Sequence, residues 1–175
     1  LLRKAKLYAC PPFTIASAPN EKDIRFTIKT AGAFTKALLE LKVGEEVLVE
    51  GPFGLFTVKD EVKNLVLIAG GVGITPFMSI IENKLQNNNN QRVTLLYSSR
   101  KSDDAIFKKR LDEINNSWFK KVYIFSGEND LAYKDGVEIG RLNKDIIKKY
   151  VEDIDNSIFY ICGPEKLKDS VKNIL

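Results

Sequence analysis

Five residues, Gly70, Gly71, Gly73, Thr75 and Pro76, stand where an apolar run meets an amphipathic stretch. The order over residues 65–77 is Leu-Val-Leu-Ile-Ala-Gly-Gly-Val-Gly-Ile-Thr-Pro-Phe. Residues 65–68 are continuously apolar, as a strand covered on both faces must be. Glycines without a Cβ let the backbone turn sharply and let a ligand come close. Thr75 suits the cap of a helix and Pro76 its first turn. Free N–H groups at such a helix start, backed by the helix dipole, suit a phosphate. The chemistry this implies is recognition of a nucleotide pyrophosphate. The spacing is not the usual dinucleotide fingerprint, because Pro76 replaces the third glycine or alanine. It is not a P-loop either, since no Gly-Lys-Ser/Thr follows. A tight strand-to-helix turn without a ligand accounts for the glycines equally well.

Three other places carry groups suited to the same chemistry. Tyr97-Ser98-Ser99-Arg100 ends the next apolar run. The acidic residue that would bind a ribose 2′-hydroxyl is missing there, and Ser99 with Arg100 suits a 2′-phosphate; a solvated arginine in a polar loop is the alternative. Tyr160-Ile-Cys-Gly-Pro-Glu165 ends a further run. Cys162, beside Gly163 and Pro164, fits near a flat ring or is an inert buried thiol. In the front part, Pro12-Phe13-Thr14-Ile15 sets an aromatic beside a hydroxyl on a strand, which a flavin edge would use and a plain core would produce as well. Lys29, Gly32, Phe34 and Thr35 precede or open a short helix and form a second possible phosphate cradle.

The elements that position these residues have two textures. Residues 13–17, 24–29 and 46–50 read as short strands and residues 34–40 as a short helix, the pattern of a small antiparallel barrel or sandwich. Strands are predicted at 65–69, 93–98, 121–125 and 158–162, alternating with helices at 76–86, 103–114, 144–151 and 165–174. That alternation predicts a parallel sheet with helices on both faces. The boundary is placed at residues 59–60, giving domains 1–59 and 60–175. A closed barrel needs about six or more strands, so the front domain is expected to be partial or to lack some of its natural N-terminus.

Composition narrows the classes. The 175 residues are 44% hydrophobic and 29% charged, with net charge +4 and no basic stripe for nucleic acid. No run of about 18 apolar residues spans a membrane, and no signal peptide is expected. Histidine is absent, which removes a Ser-His-Asp triad, a histidine-ligated haem within this chain and a His-based zinc site. Cys10 and Cys162 make neither a metal spacing nor a disulfide framework; no metal is expected, and a reduced cytoplasmic setting is the default.

Taken in order, Pro-Phe-Thr-Ile-x-Ser, Ile-Lys-x-x-Gly-x-Phe-Thr, Gly-Pro-Phe-Gly, Gly-Gly-Val-Gly-Ile-Thr-Pro and Cys-Gly-Pro resemble the ferredoxin–NADP reductase superfamily. The branch most resembled is the dehydrogenase domain of ferric reductases and NADPH oxidases. The resemblance implies a two-domain fold, an antiparallel β-barrel flavin domain followed by an α/β parallel-sheet nicotinamide-dinucleotide domain. It implies an FAD-dependent NAD(P)H oxidoreductase using FAD and NADPH, with NADH possible. Phe13 would stack on the flavin ring and Thr14 bond near its N5, flanked by Pro12 and Ile15. Lys29, Gly32, Phe34 and Thr35 would hold the FAD pyrophosphate, and Pro52 with Gly54 would close the flavin domain. Gly70, Gly71, Gly73, Thr75 and Pro76 would bind the nicotinamide dinucleotide, with Ser99 and Arg100 at the adenosine ribose. Cys162, Gly163 and Pro164 would border the nicotinamide, giving Thr14 and Cys162 the places nearest the reaction. The expected acceptor is a haem membrane domain, ferredoxin or ferric iron on another domain or chain, placing this piece in the cytoplasm or on the cytoplasmic face of a membrane protein. Alternatives are a reductase subunit needing a separate electron-transfer partner and a non-catalytic nucleotide-binding module. The pattern is broken at Pro11, where the family carries Arg or His. The family's early barrel strands and its C-terminal strand with a terminal aromatic are also missing.

Overall fold

The computed structural model describes residues 2–3, 11–59, 61–87, 90–129 and 135–175; Cys10 lies outside them. Five strands form one parallel sheet: β3 (Asn64–Gly70), β4 (Arg92–Ser99), β5 (Phe119–Phe125), β6 (Val137–Ile139) and β7 (Ser157–Cys162), in the order β6-β5-β4-β3-β7. β3 therefore sits between β4 and β7, pairing Ile68 with Leu96 on one side and Ile161 on the other. The chain runs outward from β3 to β6 and then returns to the far side of β3. In open parallel sheets, the usual ligand position is beyond the carboxyl ends of the strands at such a reversal, here between β3 and β7. β6 is a fifth strand that its short, half-exposed sequence did not announce.

The period of two along each strand divides the core. Leu65, Leu67, Ala69, Leu95, Tyr97 and Phe125 face α2 (Thr75–Gln86) and α3 (Lys108–Asp112). Val66, Ile68, Leu96, Val122 and Ile124 face α4 (Lys144–Tyr150) and α5 (Glu165–Lys172). Asn143 caps α4 by accepting the Ile146 N–H at 2.9 Å. The helix predicted at 103–114 is reduced to α3. Phe107 holds a left-handed φ of 62° just before it, and tight turns from Lys101 to Asp104 and Ser102 to Ala105 occupy the preceding backbone.

The front part departs further from expectation. Only a two-residue antiparallel pair, β1 (Leu2–Arg3) with β2 (Leu48–Val49), and an isolated bridge between Ile15 and Phe26 represent the predicted strands. The antiparallel barrel is not formed among the described residues. The Arg25 N–H goes to the Ser17 hydroxyl at 3.1 Å, so a side chain takes the place of a ladder partner. Val43, Phe53 and Leu55 are largely exposed, so little apolar cover drives strand pairing here. The predicted short helix is present as α1 (Ala33–Ala37) continued by a 3₁₀ turn, Leu38–Glu40. None of the described helices is long and apolar enough to cross a membrane.

The segment after this joins the two parts. Phe56 packs on Phe77 of α2 at 5.8 Å and edge-on to Tyr160 of β7 at 5.4 Å. The Tyr160 hydroxyl donates to the Thr57 carbonyl at 2.9 Å, and Gln91 Nε2 donates to the Lys59 carbonyl at 3.0 Å. Because Phe77 is fully buried, Phe77→Ala should destabilise the protein by about 3–5 kcal/mol. Asn143→Ala should cost about 1 kcal/mol through the lost cap. Urea unfolding followed by circular dichroism checks both.

Candidate nucleotide-binding site

The strand β3 ends at Gly70 in extended backbone and passes into a 3₁₀ turn, Gly71–Ile74, that runs directly into α2. Gly71 takes φ +53° with open space around it, a conformation L side chains rarely adopt. The other glycines answer to a different demand. A Cβ on Gly73 would lie 2.2 Å from the Cys162 carbonyl oxygen and 2.8 Å from the Gly163 nitrogen. One on Gly70 would lie 2.7 Å from Leu167 Cδ2 and 2.8 Å from Pro164 Cδ, and one on Gly163 would meet the Gly70 Cα at 3.0 Å. The loops after β3 and β7 are therefore interlocked backbone to backbone. Gly71 alone among the three answers the expectation of a special turn; the space beside Gly70 and Gly73 is filled by the other loop.

Thr75 does not cap α2. Its backbone is already helical, at φ −57° and ψ −47°, and its hydroxyl donates to the Val72 carbonyl at 3.0 Å. The 3₁₀ turn extends the helical run back to Gly71, so the run opens there. Pro76 falls in the first turn of α2 as expected. Tyr97, fully buried on β4, donates its hydroxyl to the Gly71 carbonyl at 3.2 Å, and burial raises its pKa to about 12.

At the end of β4 the predicted pair separates. Ser99 is buried and donates to the Lys101 carbonyl at 2.8 Å, so its hydroxyl is committed within the loop. Arg100 is exposed. Its stem lies over Gly127, where a Cβ would be 2.7 Å from Arg100 Cγ, and its carbonyl accepts the Gly127 N–H at 2.8 Å. Next to it, Glu128 accepts the Ser102 N–H at 2.5 Å. That carboxylate was missed in the sequence because it follows β5, not β4, and only the pairing of the two strands brings it to the loop after Arg100.

Cys162 is half-buried at the end of β7. Burial pushes its thiol up from the ordinary value, and the Lys168 ammonium pulls it part of the way back. It is a protonated thiol at neutral pH, not an activated nucleophile. Pro164 lies just before α5 and its carbonyl accepts the Leu167 N–H at 2.9 Å.

The front residues form a looser group. Phe13 is half-buried and packs on Phe34 with centroids 6.0 Å apart at 29°. Pro12 and Thr14 are exposed, and Ile15 is engaged in the bridge to Phe26. Thr35 accepts the Ala31 and Gly32 N–H groups at 2.8 and 2.9 Å and donates to the Gly32 carbonyl at 3.0 Å. Its hydroxyl thus closes the turn that opens α1. Lys29 is exposed beside it. Among the described residues, no group of three His, Cys, Asp or Glu side chains could hold a metal ion.

The family description "Oxidoreductase NAD-binding domain" matches residues 67–173, from β3 through α5. The chain belongs to this family. It thereby falls within the ferredoxin–NADP reductase superfamily. A flavohemoprotein of Oceanobacillus iheyensis is 27% identical over 173 residues, covering 93% of this chain and 42% of that protein. An NADH-cytochrome b5 reductase-like protein of Arabidopsis thaliana is 28% identical over 171 residues, covering 94% of this chain and 52% of that protein. The chain thus spans about half the length of the relatives it matches. The solved CS-b5R domains of human Ncb5or, in the NAD+ form, superpose with a TM-score of 0.80 at 23% identity, covering 99% of this chain and 54% of that one. At that identity the likeness is one of fold. The relatives match the superfamily without singling out the ferric reductase or NADPH oxidase branch.

The residues of this NAD-binding domain fit the diphosphate part of a dinucleotide: a left-handed glycine turn opens a helical run at the carboxyl end of β3. Gly71→Ala should cost about 1 kcal/mol from the left-handed backbone. Gly73→Ala should cost about 3 kcal/mol or more, because the Cys162 carbonyl must move. Urea midpoints compare the two. In a Cys10→Ser background, Cys162 should react with iodoacetamide more slowly than a free cysteine at pH 8, since a raised pKa lowers the thiolate fraction; stopped alkylation read by mass spectrometry checks this.

Proposed function

We propose that this chain supplies the nicotinamide-dinucleotide part, and a portion of the flavin part, of an FAD-dependent NAD(P)H oxidoreductase. Residues 60–175 form the dinucleotide side and residues 1–59 belong to the flavin side. The single observation that carries this reading is the interlock of the Gly71–Ile74 turn with loop 162–164 at the carboxyl ends of β3 and β7, the strand reversal of the parallel sheet. Bound FAD would supply the redox chemistry, the uptake of a hydride and the release of electrons one at a time.

The chain's own residues then have definite work. The turn at Gly71 receives the dinucleotide diphosphate at the start of a helical run, where N–H groups and dipole favour anions. Gly163 and the protonated Cys162 form a small wall beside the nicotinamide, with no charge to trap it. Exposed Thr14 has no hydrogen-bond partner among the described residues and offers its hydroxyl to the flavin edge. Phe13, braced by Phe34, offers a ring face. Lys29 and the backbone opening α1 fit the flavin pyrophosphate, while Thr35 holds that backbone in shape. The Phe56–Tyr160 contact and the Tyr160–Thr57 hydrogen bond hold the two parts in register, which hydride transfer requires.

The acceptor we propose is a haem or another one-electron centre on a separate domain or chain. The flavohemoprotein and cytochrome b5 reductase-like relatives favour a haem acceptor. The Pro-Phe-Thr-Ile-x-Ser motif is what supports the dehydrogenase domain of a ferric reductase or NADPH oxidase as the setting.

Coenzyme choice has two contending groups. Arg100 favours the 2′-phosphate of NADPH. Glu128, held on the Ser102 N–H beside it, disfavours a second anion and suits the free hydroxyls of NADH. The protein supplemented with FAD should reduce ferricyanide at the expense of NADH or NADPH; neither flavin absorbance nor any such turnover would remove the reading. Arg100→Ala should raise KM for NADPH more than for NADH, and Glu128→Gln should raise kcat/KM for NADPH about 5-fold relative to NADH. Equal effects on both coenzymes would show that neither residue reads the 2′ position.

A further inference from the structure

Two carbonyls of the glycine turn are tied down by hydroxyls from the protein interior. Tyr97 donates to the Gly71 carbonyl at 3.2 Å, and Thr75 donates to the Val72 carbonyl at 3.0 Å. A trans peptide is planar, and its N–H points opposite to its C=O. Anchoring the Gly71 carbonyl to Tyr97 therefore aims the Val72 N–H away from Tyr97. Gly71 itself has φ +53° and nothing within 4 Å of where a Cβ would stand, so no side-chain packing at this residue holds its conformation. The tyrosine comes from the neighbouring strand, is fully buried, and packs against Tyr123 with centroids 6.2 Å apart.

We propose that Tyr97 is a positioning residue for dinucleotide binding: its hydroxyl locks the Gly71 peptide so that the turn presents the Val72 N–H to the diphosphate. This inference rests on the dinucleotide reading of the turn and adds to it a residue that touches no part of the ligand. A phenylalanine at position 97 would keep the packing and leave the Gly71 peptide held by the 3₁₀ turn alone, and so less firmly fixed. The ligand would then have to order it on binding, which weakens affinity.

The test is isothermal titration of the protein with ADP-ribose, which carries the diphosphate without the nicotinamide. Wild type should bind. Tyr97→Phe should bind about 3- to 10-fold more weakly, the range for one neutral hydrogen bond. Tyr123→Phe is the control. It removes another buried tyrosine hydroxyl, one that donates to Asp112 Oδ1 at 2.8 Å away from the turn, and should bind within about 2-fold of wild type. A general loss of stability would move both variants alike, and that result overturns the proposal. So does Tyr97→Phe binding as tightly as wild type. Wild type failing to bind ADP-ribose would instead overturn the dinucleotide reading, and the proposal with it. A measurement on wild type alone guards against a variant that does not fold. The Tyr97 hydroxyl proton should show a nuclear Overhauser contact to the Gly71 Hα protons, and its absence in a well-ordered spectrum overturns the proposal.

Discussion

The closest approach in the molecule that matters is between Gly73 and the carbonyl of Cys162, where a Cβ would sit 2.2 Å from oxygen. Everything at the carboxyl ends of β3 and β7 depends on it. β3 and β7 are adjacent and parallel, and their following loops must either splay apart or interlock. Glycine at 70, 73 and 163 lets them interlock. The turn that opens α2 and the loop that opens α5 thereby become one rigid rim. A rim of this kind presents N–H groups, a small thiol and a helical start in fixed relation, with little left to order on binding.

Behind the rim, the sheet supplies the fixed frame. Alternate residues of β3, β4 and β5 feed two separate apolar layers, one under α2 and α3 and the other under α4 and α5. Tyr97 shows how the frame reaches the site. It is a core residue by burial and a site residue by its hydroxyl. In the same layer, Glu82 on α2 binds Arg110 of α3 through two hydrogen bonds of 2.7 and 2.8 Å. That pair pins the short α3 to α2 despite its single buried residue, Leu111.

The front part obeys other physics. Its apolar residues Leu39, Val43, Phe53 and Leu55 are mostly exposed, and among the described residues its backbone pairs over only a few positions. What holds it to the sheet is a strap of contacts around Phe56, Thr57 and Lys59. The strap ends on Tyr160, two residues before Cys162 in β7. The connection between the two parts therefore enters the molecule close to the loop that follows β7.

Sequence patterns alone determined the parallel sheet, four of its five strands to within a residue or two at each end, and the position of the glycine turn. Those features are local: an unbroken apolar run is a buried strand wherever it falls, and glycine, threonine and proline in that order mark a helix start. Fewer of the side-chain assignments were legible. Thr75 was expected as a cap and proved to be inside the helical run, because a 3₁₀ turn extended that run backwards. Ser99 was expected to face a ligand, but β4 turns its hydroxyl into the loop. Spacing could not place Glu128 and Tyr97, since each bonds to a loop 26 residues away in the chain. The flavin barrel is not formed among the described residues, since strand-like alternation does not by itself provide the neighbouring strands that pairing needs. Tertiary structure decided which glycine serves the turn and which serve the interlock, because only the packing of β7 against β3 determines where a Cβ has no room.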